Sequence, residues 1–218
     1  MGQDTQSNLL PERYVITVGR AFGAGGRVVG RALADRLGIG YFDKELLVQA
    51  AGRAGMDSGL FEKNDERPPG FLSGVVPMSM GYSPLAWYAG PNGAGGEAVY
   101  RAQSEFIRHL ADTTPCVIVG RTADYILRDY PNVLNVFLHA PEEACIRRIL
   151  RRADTATEEQ ARSLIRKTNK ARAEFYNFYS DRTWGAASSY HLTLDSSRID
   201  TDEIVDTIID FLKKFLNK

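Results

Sequence analysis

The residues best equipped for chemistry lie between positions 14 and 33, YVITVGRAFGAGGRVVGRAL. Glycines 19, 23, 25 and 26 separate a β-branched and aromatic run, Tyr14 to Val18, from a segment where Val28, Val29, Ala32, Leu33 and Leu37 recur at helical spacing. That order predicts a buried strand, a glycine turn and a helix. Such a turn can cradle phosphate: small residues let backbone N–H groups face an anion, and the helix dipole adds positive potential at the same point. Arginine and lysine recur around it. Arg20 and Arg27 flank the loop, and Arg121 follows a predicted strand. Arg147, Arg148, Arg151 and Arg152 share one predicted helix; Arg166, Lys167, Lys170 and Arg172 share another. Phosphoryl transfer spreads charge over phosphate oxygens, so it depends on positioning and electrostatic stabilisation. A guanidinium fork can hold two of those oxygens at once.

The loop departs from the consensus G-x-x-x-x-G-K-[S/T]. With Gly25 as the second consensus glycine, Arg20 stands at the first glycine, Gly26 at the lysine and Arg27 at the Ser/Thr position. An ordinary strand-to-helix turn that uses glycine for tight packing also fits. Exposed helix arginines usually pair with acids one turn away or are solvated, and that plainer reading is preferred for each of Arg147 to Arg152 taken singly. Arg121 is the stronger candidate, because it follows its strand immediately.

The elements that must position these groups alternate. Strands are expected at 14–19, 40–43, 115–120, 133–138 and 190–194, and helices at 27–38, 44–54, 97–112, 122–129, 141–152, 157–179 and 202–216. Gly38 should end the first helix, Asp43 should cap the second, and Thr157 and Thr201 should cap the last two. Asp43 also stands at a strand's carboxyl end, where open α/β sheets bind ligands. Strand–helix alternation predicts a mostly parallel sheet with helices on both faces, an α/β fold. Residues 1–13 read as a disordered tail and 14–218 as one domain. Residues 55–96, with five prolines and the run NGAGG, read as a flap or a plain flexible insertion; residues 60–67 could add a helical turn or two.

With 218 residues, 44% hydrophobic and 25% charged, the chain has the composition of a globular protein. Formal net charge is zero, which argues against a bulk nucleic-acid footprint. No run approaches the roughly 20 apolar residues needed to span a bilayer. The N-terminus lacks the basic start and apolar core of a secretory signal, and MGQDTQ fits a myristoylation pattern only weakly. Cys116 and Cys145 have no metal-ligand spacing and read as reduced, buried thiols of a cytoplasmic protein. The aromatic run Phe175, Tyr176, Phe178 and Tyr179 is more naturally packed on its own core than on a second copy, though a homodimer is conceivable.

Five blocks in order resemble the cytidylate-kinase-like proteins, a divergent branch of the P-loop nucleoside monophosphate kinases: residues 16–47, 117–127, 137–149, 169–179 and 190–197. The resemblance implies a three-layer P-loop kinase fold with a five-stranded parallel sheet, ATP and Mg²⁺, a nucleotide acceptor and a lid at about 152–180. Gly23, Ala24, Gly25 and Gly26 would then hold the donor phosphates with Arg20 and Arg27. Arg121, Asp43 and Asp124 would serve the acceptor, and Lys170 and Arg172, with Arg27, the transferring group. Several family positions differ: Gly26 replaces the lysine, Thr122 the aspartate after Arg121, and Asn169 the lid aspartate, while KELLVQ follows Asp43 without the expected tyrosine–arginine pair. The expected activity is phosphoryl transfer from ATP to a nucleoside monophosphate, cytidylate-like, or a related small acceptor. The alternatives are a nucleotide-binding regulatory protein on the same fold and a kinase for a non-nucleotide metabolite.

Overall fold

The computed structural model describes residues 10–43 and 96–217. The helix expected at 44–54 and the flap at 55–96 (its last residue apart) lie outside the described residues. The chain forms β1 (Val15–Arg20), α1 (Gly26–Leu37), β2 (Gly40–Phe42), α2 (Gly96–Thr113), β3 (Cys116–Val119), α3 (Ala123–Ile126), β4 (Val133–His139), α4 (Glu142–Arg151), α5 (Glu158–Tyr179), β5 (Leu192–Asp195) and α6 (Thr201–Leu216). The five strands make one parallel sheet in the order β2-β3-β1-β4-β5. This is the expected α/β architecture.

Alternation along the central strands separates two cores, as the pleat requires. Ile16, Val18, Val117, Val119, Leu134 and Val136 meet Val29 and Leu33 of α1 and Ile204, Ile208 and Leu212 of α6. On the other face, Val15, Cys116, Ile118 and Val133 meet Phe106, Ile107 and Leu110 of α2 and Ile126 of α3. A third, smaller cluster joins α4 to α5 through Cys145, Ile146, Ile149, Ala161 and Ile165. Both cysteines are free and buried.

Several boundaries move for local reasons. Helix α3 is four residues, not eight. Thr122 takes a left-handed conformation, and beyond Ile126 the hydrogen bonds tighten to three-residue spacing, Arg128 N to Tyr125 O and Tyr130 N to Leu127 O, ahead of Pro131. Strand β5 starts two residues late because Ala187–Ser189 forms a 3-10 turn. Thr157 caps α5, accepting from Gln160 N. Asp200, not Thr201, caps α6: it accepts from Glu203 N while Glu203 accepts from Asp200 N, each at 2.9 Å, a reciprocal capping box. The N-terminal tail ends earlier than position 13. Leu10 packs on the core, Arg13 donates to Asp112 O at 2.8 Å, and Asn132 donates to Arg13 O.

Candidate active site

The tripeptide Val-Gly-Arg occurs at 18–20, 29–31 and 119–121, and the first and last copies end neighbouring strands. Strands β1 and β3 are parallel neighbours with Val18 opposite Val119, and Gly120 N continues the ladder to Val18 O at 3.1 Å. Two glycine–arginine pairs therefore leave the sheet side by side at its carboxyl edge, where ligands of open α/β sheets bind. Sequence reasoning singled out both arginines but missed this repetition, which was there to be read.

Beyond β3 the backbone is strained. Gly120, Arg121 and Thr122 all have positive φ, at 79°, 65° and 56°. For non-glycine residues this costs about 1–2 kcal/mol each, and such strain collects at functional sites. Buried Gln103 of α2 holds the turn: its Nε2 donates to Arg121 O and its Oε1 accepts from Arg121 Nη1, both at 3.2 Å.

The glycine loop joins β1 to α1. Gly25, left-handed at φ 84°, sits at the N-cap, and its carbonyl receives Val29 N. Unlike α4, α5 and α6, helix α1 has no acidic residue in its first turn, so nothing of its own offsets the positive helix end. Four distant side chains fix the first half of the loop. Arg172 Nη1 donates to Arg20 O at 3.0 Å, and Phe22 N donates to Asn169 Oδ1 at 2.8 Å. Arg148 Nη1 donates to Gly23 O at 3.3 Å, and Ser196 Oγ donates to Ala24 O at 2.8 Å. Arg148 also grips Ser196 through Oγ and the carbonyl. The solvated reading preferred for Arg148 is thus corrected: it ties α4 and the β5 end to the loop. Arg147, Arg151 and Arg152 remain exposed.

Arg20, Arg121 and Arg172 line one pocket together with Thr122, Asp124 and Tyr190. Phe175, Tyr176 and Trp184 add an aromatic wall. Asp124 is buried, and Tyr176 OH donates to its Oδ2 at 2.6 Å. Burial raises the Asp124 pKa, against the pull of that hydrogen bond; burial and the neighbouring carboxylate raise that of Tyr176. Of the aromatic run on α5, Tyr176 is buried and Tyr179 stacks on Tyr100 at 3.9 Å, while Phe178 is 59% exposed.

The other expected site residues lie elsewhere. The Arg27 amide stays at the α1 end, but its side chain faces a second, open hollow with Arg31, Asp35, Tyr41 and Asp43. There Tyr41 OH donates to Asp43 Oδ2 at 3.3 Å, Arg31 lies 4.0 Å over the Tyr41 ring, and burial followed by Asp43 pushes the Tyr41 pKa to about 12. Lys170 is 78% exposed, 3.8 Å from Glu174 one turn along, and lines neither hollow.

The arginine pocket suits an oxyanion. Three arginines line it, and the buried Thr122 Oγ1 on its wall has no hydrogen-bond partner among the described residues. The residues therefore fit the phosphates of a nucleotide. They offer magnesium little: among the described residues no three His, Cys, Asp or Glu side chains cluster, and Asp124, the one carboxylate of this pocket, is already held by Tyr176. No helix among the described residues is long and apolar enough to cross a membrane.

Solved structures share the fold. An uncharacterized protein from Eubacterium ventriosum ATCC 27560 superposes with TM-score 0.69 at 25% identity, covering 92% of this chain and 98% of its own. A gluconokinase from Sinorhizobium meliloti 1021 has TM-score 0.53 at 16% identity, covering 94% and 95%. Shikimate kinase from Bacteroides thetaiotaomicron has TM-score 0.51 at 15% identity, covering 94% and 99%. No curated protein matches the sequence. The sequence pattern of the cytidylate kinase-like family matches residues 15–198, so the chain belongs to the cytidylate kinase-like family.

Proposed function

We propose that this protein transfers the γ-phosphoryl group of ATP to a nucleoside monophosphate or a related small anionic acceptor. The observation that carries the reading is the meeting of Arg20, Arg121 and Arg172 in one pocket beside the glycine loop. Bound ATP would supply the transferable group. The amides of Gly25, Gly26 and Arg27 at the α1 end face the donor phosphates, with Gly23 and Ala24 setting the loop's path. Arg172 offsets charge on the transferring group. Arg121, its direction set by Gln103, holds the acceptor oxyanion, and Thr122 Oγ1 is available to donate to it. Attack is in line from an acceptor oxygen, with no covalent enzyme intermediate. The magnesium that accompanies ATP would rest on phosphate oxygens and water, in keeping with its habit of retaining water ligands.

A second reading, nucleotide binding without transfer, is favoured by one observation: the thin donor set for magnesium among the described residues. ATP consumption over a panel of nucleoside monophosphates and small acceptors, run beside direct ATP binding, separates the two. Acceptor-dependent turnover that Arg121→Ala and Arg172→Ala both abolish supports the kinase. ATP binding with no turnover on any acceptor supports the regulatory reading, and turnover unchanged in both variants rejects the roles given to those arginines.

A further inference from the structure

Gly26 stands where a phosphate-binding loop carries its lysine, yet a side chain there has no room. A Cβ on Gly26 would lie 2.7 Å from both Cβ and Cγ of Arg20 and 3.3 Å from its Cδ. A Cβ on Gly120 would overlap Arg20 Nη1 and lie 2.8 Å from its Cζ. The Arg20 stem therefore crosses the face of Gly26, and its guanidinium rests on the backbone of Gly120. The origin of that stem is fixed, because Arg172 holds the Arg20 carbonyl. Gly120, at φ 79°, favours glycine for conformational reasons as well. Gly26 does not. It is the first residue of α1 and has no positive φ, so alanine would be the better helix former there.

Resting on the reading that this loop holds donor phosphates, we infer that Arg20 is the loop's phosphate cation, reaching the site from the end of β1, and that Gly26 is the clearance for its stem. The absent lysine is then a change of route, not a lost function. A lysine at 26 and an arginine at 20 exclude one another sterically. The guanidinium also differs in kind from an ammonium: its planar fork can span two oxygens, and it reaches the transfer position beside Arg121 and Arg172.

The test is a double-mutant cycle on the full chain, Arg20→Met, Gly26→Ala and both together, read by calorimetric binding of ATP with Mg²⁺ and by thermal unfolding. Arg20→Met keeps an apolar stem and removes the fork. Expected are a loss of affinity of about 10- to 100-fold for Arg20→Met and about tenfold for Gly26→Ala, the range for charged hydrogen bonds. In the Arg20→Met, Gly26→Ala pair, the second change should add no further loss beyond Arg20→Met. Gly26→Lys should lose affinity rather than restore it. Equal losses from Gly26→Ala in both backgrounds would mean that Gly26 serves the donor directly, and the clearance role would be overturned. Wild-type affinity in Arg20→Met would overturn the cation role while leaving the donor site standing. Absence of ATP binding in the wild type would remove both the donor reading and the cation role.

Discussion

Two arginine-bearing hollows lie near the glycine loop, and they are built on different principles. In the first, Arg20 and Arg121 start from adjacent strand ends and Arg172 from a helix docked on the loop. Among the described residues its one carboxylate, Asp124, has a raised pKa and is tied to Tyr176. In the second, Arg27 and Arg31 rise from the outer face of α1, and two aspartates, Asp35 and Asp43, share the hollow. Among the described residues, charge of one sign accumulates only in the first, and such a focused field attracts an anion. Proximity to a glycine loop thus says little about an arginine's target. The element that carries it, and the carboxylates around it, decide.

The largest predicted difference follows directly. Arg121→Ala should lower acceptor-dependent kcat/KM by about 10²–10³-fold, the usual loss for one preorganised donor at developing charge, whereas Arg27→Ala should lower it by about threefold. Equal losses would erase the distinction between the hollows. A second contrast concerns the support behind the first hollow. Arg148→Ala strands Gly23 O of the loop and Ser196 O beyond β5. It should cost about 1–3 kcal/mol, or several degrees of melting temperature in a domain of this size. Arg152→Ala, which removes a 47% exposed side chain paired with Asp154, should leave melting unchanged. Were Arg152→Ala the more damaging, the brace would be misplaced.

Asp124→Asn probes the same pocket through pH. Burial raises the Asp124 pKa above its value in the unfolded chain, near 3.9. Protonated Asp124 therefore suits the fold, and its contribution falls as pH rises through the folded-state pKa. Asparagine can still accept from Tyr176 OH and never ionises. Its stability relative to wild type should be lowest near pH 4 and grow toward pH 7, measured by denaturant unfolding at both. A difference that shrinks with pH would show that the hydrogen bond from Tyr176 outweighs burial, and a flat one that the two cancel.

The fold was legible because its signals are local. Continuous apolar runs mark Cys116–Val119 and Val133–Leu138, and glycine or an acid-flanked threonine marks Gly38 and Thr157. Helix α3 was over-read because a left-handed Thr122 leaves no mark in composition. Asp200 was passed over for Thr201, although Glu203 three residues on completes its capping box. In the site, Arg121 was legible from its place at a strand's end. The outward turn of Arg27 was also written in its spacing from Arg31, one helical turn away on an exposed face. Arg148 and Ser196 could not be found that way. Their hold on Gly23 and Ala24 spans 125 and 172 residues, and only the packing of α4 and β5 beside the loop brings them there.

Lys170 gives the smallest effect and the cleanest control on how far α5 belongs to the first hollow. Asn169 and Arg172, on either side of it, hold the loop, so the helix is anchored there. Lys170 itself points away: its side chain is 78% exposed, that of its partner Glu174 is 66% exposed, and the pair is separated by 3.8 Å. An exposed pair one turn apart contributes about 0.3–0.5 kcal/mol and is screened by salt. Lys170→Ala should therefore shift unfolding free energy by less than about 0.5 kcal/mol, with the shift fading as salt rises to about 1 M, where the screening length is about 3 Å. Its effect on kcat/KM should be far below that of Arg172→Ala. A loss in turnover matching Arg172→Ala, with stability intact, would mean that α5 rotates or shifts during the reaction and delivers Lys170 to the transferring group.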